Sequence, residues 1–249
     1  MRPKNLLIVL LILFSCKEIC AQNNFFLTQG KIEFEKKFNL WAQIENFHEN
    51  AEWTELRKKM MPKFKTTYFD LIFSGNKTLY KPGKENPENN RLREDPAEEN
   101  KVYSDLDKAS RISEKKVFGE FFLVQDSTRQ IHWKITDEMR SIAGFPCRRA
   151  NAIIMDSIYV VAFYTEDIVT PGGPESFNGL PGIILGIALP HQHITWFATK
   201  VQNIEVSSLD LIPPVKGKKM NGRALREILS ASFKDDGDWA QVYQQEIEY

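Results

Sequence analysis

The chain holds little cysteine: Cys16, Cys20 and Cys147 among 249 residues. That excludes a disulfide-stapled scaffold, so a buried core must hold the fold together. It also lacks an excess of either charge, with 33 Lys+Arg against 33 Asp+Glu. Such a balance leaves no electrostatic footprint for nucleic acid. Beyond residue 14 no apolar run reaches membrane length, which excludes a multi-span protein. Neither GxGxxG, nor a Walker lysine motif, nor GxSxG occurs, so those phosphate cradles and the serine nucleophile elbow are absent. What the sequence does have is apolar material. Hydrophobic residues make up 42%, with 17 Phe, 7 Tyr and 5 Trp, enough for one sizeable core.

The N-terminus carries an address. Arg2 and Lys4 precede an unbroken apolar run over residues 6–14. A positive segment followed by a short apolar one reads as a Sec signal, with an uncleaved anchor as the alternative. Two processing sites compete. Cleavage after Ala21 would leave Gln22 first; alternatively Leu13-Phe14-Ser15-Cys16 is a loose lipobox with Cys16 lipidated. The expectation is a signal peptide over 1–21, and a protein that is periplasmic, outer-membrane-associated or extracellular. Cys147 is then the sole thiol.

Residues 31–40 alternate apolar and polar and predict a half-buried strand. Asn50 is placed to cap a helix with Trp53, Leu56 and Met60 in one stripe, ending at Pro62. Strands are expected at 67–73 and 77–81 around Ser74-Gly75-Asn76, and at 116–124 and 130–135 around Asp126-Ser127. Further strands are expected at 139–143, 150–155, 158–165, 183–189 and 194–206. Leu225, Ile228, Leu229 and Ser232 recur at helical spacing, and a second short helix starts at Trp239. Residues 82–101 hold only Leu92 and Ala97 as aliphatic residues and read as a mobile polar insertion. The expected fold class is mainly β (α+β). It is a curved, largely antiparallel meander sheet with a few short helices, including a helical C-terminus, in a single domain over 22–249.

The most informative segment is 171–186, PGGPESFNGLPGIILG. It holds five of the thirteen glycines and three of the twelve prolines, so its backbone turns repeatedly. Leu180-Pro181-Gly182 fits a type II turn, which would require positive φ at Gly182. The segment reads either as a rigid plug at one end of the sheet or as a loop lining a ligand or partner site. On the second reading its site residues are Gly173, Pro174, Phe177, Gly179, Leu180, Pro181 and Gly182.

Gly179-Leu180-Pro181-Gly182-Ile183-Ile184 resembles the signature of the GLPGLI family, secreted proteins typical of Bacteroidota, with Ile183 in place of the usual leucine. Similar motifs stand in order around it: the Ala162 to Thr165 stretch, Ile168, Trp133-Lys134-Ile135-Thr136, and Gly144-Phe145-Pro146-Cys147-Arg148-Arg149. Gly30-Lys31-Ile32-Glu33-Phe34-Glu35 opens the likeness, which runs over residues 30–206. The resemblance implies an exported protein with no established enzyme activity and no assigned catalytic residues. It also implies a link to outer-membrane TonB-dependent receptors.

Candidate chemistry is sparse. Cys147 beside Arg148 and Arg149 would be a nucleophile only with a base such as His132 at hand; a buried structural thiol is the other reading. His191 and His193 would share a strand face at a spacing metals use, with His48 and His132 as further nitrogens. Asp235-Asp236-Gly237-Asp238 lacks the order of a calcium loop and reads as a helix start. No catalytic residue, metal site or cofactor is assigned. The function expected is that of a cell-envelope protein without evident catalysis, binding an apolar ligand or an envelope partner. The alternatives are an accessory protein of a TonB-dependent transport system and a metal-assisted hydrolase.

Overall fold

A computed structural model describes residues 26–46, 50–92, 97–233 and 238–249. The signal segment with Cys16 and Ala21, His48, and Asp235 to Gly237 lie outside the described residues. The chain builds one 12-stranded sheet, antiparallel except at one edge. In chain order the strands are β1 Gln29–Asn39, β2 Phe64–Ser74, β3 Lys77–Pro82, β4 Lys101–Asp105, β5 Ser110–Val117 and β6 Glu120–Ser127. They continue with β7 Lys134–Ile142, β8 Phe145–Ile154, β9 Ile158–Thr165, β10 Ile183–Leu189, β11 Ile194–Gln202 and β12 Lys218–Met220. Their spatial order is β12-β6-β5-β4-β3-β2-β1-β11-β10-β9-β8-β7, with β12 parallel to β6. The helices are α1 Leu40–Asn46, α2 Ala51–Met60, α3 Gly222–Ser232 and α4 Asp238–Glu248.

The period-two reading of β1 is realised. Ile32, Phe34, Lys36 and Phe38 are buried on one face. Register carries that face across the sheet, from Phe34 to Phe69 and Ala198, and from Lys36 to Trp196. The same face passes through Leu71, Tyr80, Val102, Ser113 and Val124. We call it the inner face. Residues 166–182 cover one part of it. α3 and α4 cover another, where Leu225, Leu229, Phe233 and Ile247 pack on Val117, Phe122 and Val124. Tyr249 joins the two covers: its ring lies 6.3 Å from Phe177 and 6.2 Å from Trp196.

The structure departs from the expected hairpin around Asp126-Ser127. The run expected as one strand over 116–124 is broken by a two-residue turn at Phe118-Gly119, both at positive φ (51° and 83°), which is what a tight hairpin of this hand demands. Asp126-Ser127 is therefore the end of β6 and not a hairpin turn. The apolar stripe of α2 lies on the surface: Trp53, Leu56 and Met60 are 61%, 47% and 78% exposed. Within 82–101, of which 93–96 lie outside the described residues, polar side chains bond to the sheet. A 3-10 turn, Pro87–Arg91, is capped by Asn86. The side-chain amides of Asn86 and Asn89 both donate to the Thr66 carbonyl, at 2.9 and 2.8 Å. Lys65, buried, meets Glu98 at 2.9 Å. Polar side chains here bond to strand β2, where the ladder to β3 begins only at Phe69. Scanning for apolar residues misses that kind of anchoring.

Candidate functional site

The segment 166–182 is folded into the protein. Of the seven residues singled out from the sequence, Gly173, Pro174, Phe177, Leu180 and Gly182 are buried, while Gly179 and Pro181 are exposed. The backbone closes on itself: Gly179 N–H donates to Pro171 O, Phe177 N–H to Pro174 O, Ile183 N–H to Ile168 O and Ile184 N–H to Gly172 O. Trp133 Nε1 donates to the Asn178 carbonyl at 2.9 Å, and Thr170 Oγ1 to Gly75 O at 2.7 Å. Phe177 sits edge-on to Trp196 with ring centroids 6.2 Å apart.

The type II turn at Gly182 is not formed. Positive φ lies at Gly179 (+89°) and not at Gly182. Glycine is needed at 182 for a different reason: a β-carbon there would collide with the Thr165 carbonyl oxygen. β9 runs too close for any side chain to fit between.

Buried charged groups lie where this segment meets the inner face. Glu175, itself at φ +51°, carries a buried carboxyl. Its Oε2 accepts from Asn100 Nδ2 at 3.2 Å, and its Oε1 has no hydrogen-bond partner among the described residues. Burial raises its pKa, opposed by the positive charges of Lys115, Lys36 and Arg111. Lys36, also buried, has its Nζ 5.1 Å from the Trp196 ring centre and 5.6 Å from that of Phe38. Tyr80 is fully buried, and burial together with Glu175 pushes its pKa up.

Arg111 and Lys115, whose charges act on Glu175, also line a cleft of about 540 Å³ beside α3 and α4. Arg111 and Lys115 of β5 form its floor, with Asp126 and Arg129 beside them and Arg226 and Glu248 on the helices. Lys115 Nζ donates to the Ile247 carbonyl and Arg129 Nη2 to the Glu248 carbonyl. Arg226 grips the Glu248 carboxylate through Nε (2.9 Å) and Nη2 (2.7 Å). Burial lowers the Lys115 pKa to about 8 and that of Arg129 to about 10; the neighbouring cations add to both shifts. The sequence reading missed this site. A signal is present, since Arg111, Ser113 and Lys115 occupy alternate positions in line with the apolar Val117, but the strand expected from the sequence begins only at residue 116.

The other sequence candidates do not assemble. Cys147 is fully buried, and burial raises its thiol pKa to about 12. Its Sγ faces the Phe145 carbonyl at 3.5 Å, while His132 is exposed. His191 and His193 sit in the turn between β10 and β11, not on a strand, and His193 has positive φ. No group of three or more His, Cys, Asp or Glu that could hold a metal forms among the described residues.

Comparison with known proteins adds the following. Residues 152–186 match the model of an uncharacterised family of Bacteroidota type. It is described as a protein of unknown function, Porph_ging. That match covers the end of β8, β9, the buried segment and the start of β10. No curated protein matches the chain. Two solved structures of PNGF-II, in C2 and P21 space groups, are similar in fold, with TM-scores of 0.53 and 0.54 at 15% identity. They cover 80% and 81% of this chain, whereas the chain spans 32% and 33% of theirs, about a third. The likeness establishes a mostly β architecture.

Proposed function

We propose that this is an exported cell-envelope protein of the GLPGLI type that acts by noncovalent binding and not by catalysis. In this reading residues 1–21 are the signal, 22–249 form one domain, and the signature segment is the plug that closes the inner face. The observation that carries it is the burial of that segment, through Phe177, against Trp196 and Tyr249. A covered inner face leaves no room there for an apolar ligand, so the ligand is assigned to the polar cleft between β5, β6 and the C-terminal helices. A sealed thiol with its pKa near 12 supports the noncatalytic reading, because almost no thiolate forms at neutral pH. The test is native mass spectrometry of the protein isolated from the envelope. A stoichiometric noncovalent ligand that survives incubation unchanged is the expected result. Turnover of a copurified compound would replace this reading with an enzymatic one.

A second reading, an accessory protein of an outer-membrane transport assembly, is favoured by the exposed stripe of α2. Trp53, Leu56 and Met60 line a surface groove of about 580 Å³. Exposed aromatic and methionine side chains together are typical of protein contact surfaces. Cross-linking in intact cells, with Trp53→Asp and Met60→Asp as controls, tests it. Loss of a specific cross-linked species in both variants is expected.

A further inference from the structure

The cleft is built as though for a missing negative charge. Among the described residues, the buried Nε and Nη1 of Arg111 have no hydrogen-bond partner. Guanidinium N–H groups held out of water without an acceptor are costly, and buried polar groups in native proteins are rarely left so. Three carboxylates lie near: buried Glu175 acts on Arg111 and Lys115 through its charge without a hydrogen bond to either among the described residues, and the two on the cleft itself are occupied. Glu248 is gripped by Arg226 through two bonds. Asp126 accepts from the backbone N–H groups of Ser127 and Gly222. Among the described residues, Lys115 and Arg129 donate hydrogen bonds to backbone carbonyls and to no carboxylate. α3 also begins at the cleft, at Gly222, so the positive end of an 11-residue helix adds to the field.

Resting on the binding reading above, we infer that this cleft is an oxyanion site. Its ligand is a phosphate group, free or borne by a small molecule, with Arg111 as the principal anchor and Lys115 and Arg129 beside it. Arginine suits this role because its planar fork offers several N–H groups to one tetrahedral anion. The cleft is larger than inorganic phosphate, which leaves room for a substituent toward Arg223 on the exposed rim.

The test is calorimetric titration and thermal unfolding of the full chain at constant ionic strength. The probes are inorganic phosphate, glucose 6-phosphate, vesicles containing phosphatidic acid, and chloride as the control. Phosphate at about 10 mM should raise Tm above the chloride control. Arg111→Gln should weaken binding by about tenfold or more. Arg111→Lys should retain part of it, and Lys200→Gln, on an exposed strand position away from the cleft, should stay within about twofold of the parent. Tighter binding of glucose 6-phosphate identifies a soluble phosphorylated ligand, and preference for the vesicles identifies a lipid headgroup. Absence of any phosphate effect beyond chloride, or equal affinity in a folded Arg111→Gln, overturns the inference. If phosphate fails while native mass spectrometry still finds a bound compound, the oxyanion assignment falls and the binding reading stands. Should Arg111→Gln fail to fold, Arg129→Gln gives the second reading of the same loss.

Discussion

Gly182 and Thr165 face each other so closely that a β-carbon on the glycine would overlap the threonine carbonyl oxygen. This contact ties the start of β10 to the end of β9 and fixes where the buried segment rejoins the sheet. Every substitution at 182 meets the same backbone atom. Gly182→Ala, Gly182→Asn and Gly182→Val should therefore all lose on the order of 2–3 kcal/mol in urea unfolding, with little difference among them. Gly179 behaves otherwise. It is exposed, at φ +89°, with only Trp133 Nε1 near, at 3.9 Å. Asparagine tolerates that backbone better than valine does, so Gly179→Asn should be milder than Gly179→Val by about 1 kcal/mol. Reversal of the two patterns would show that the turn is at 182 after all.

Residues 86–89 offer a second check. The Thr66 carbonyl receives two side-chain amides, from Asn86 and Asn89. Removing both leaves a half-buried acceptor unpaired, at a cost of about 2 kcal/mol. For a chain of this size that lowers Tm by roughly 4–8 °C. Asn86→Ala/Asn89→Ala measured by thermal unfolding decides whether this segment is anchored. A change below about 1 °C would return it to the status of a passive insertion.

These comparisons also indicate what a sequence can and cannot disclose. β9 and β10 were legible to the residue, because Ile158–Thr165 and Ile183–Leu189 are apolar runs bounded by polar or turn residues, buried on both sides. The helix cap at Asn50 was legible because it is local: its side chain accepts from Glu52 N–H. The break at Phe118-Gly119 was not, since the surrounding Lys-Lys-Val-Phe-Gly-Glu-Phe-Phe reads as one continuous strand and only backbone geometry divides it. The assembly of the cleft, beyond the alternation within β5, was illegible for another reason. Arg111, Arg129, Arg226 and Glu248 come from distant parts of the chain, and only the antiparallel register and the return of α4 bring them together.

Cys147 gives a third prediction. It is enclosed between neighbours in β8, opposite Arg140 of β7. With its thiol pKa near 12, the native protein should react with a bulky disulfide reagent at pH 8 only through unfolding, and react at once in urea. Cys147→Ser should cost on the order of 1–3 kcal/mol, because a hydroxyl is harder to bury than a thiol. Fast labelling of the folded protein would contradict the burial.

The last prediction follows from Lys115, whose buried ammonium has its pKa lowered from 10.5 to about 8. Burial is the main cause; Arg111 and Arg129 push the same way, while Glu175 and Glu248 oppose them. Below pH 8 both folded and unfolded states carry the proton, so the full cost of burying the charge is present. Between pH 8 and 10.5 the unfolded state binds more protons than the folded one, and stability rises with pH. From pH 7 to 9.5 this amounts to about 2 kcal/mol. Cys147 acts in the opposite sense above pH 9, because its raised pKa means the unfolded state loses its proton first. That effect is common to parent and variant, so the difference between the parent and Lys115→Met profiles isolates the lysine. The variant should lack the rise, and the gap between the two curves should narrow by about 2 kcal/mol toward whichever pH leaves Lys115 neutral. An oxyanion in the cleft favours the charged lysine, so saturating phosphate should move the onset of the rise above pH 8. Parallel profiles for parent and variant, with and without phosphate, would mean that Lys115 stays protonated throughout and that its charge is balanced within the fold.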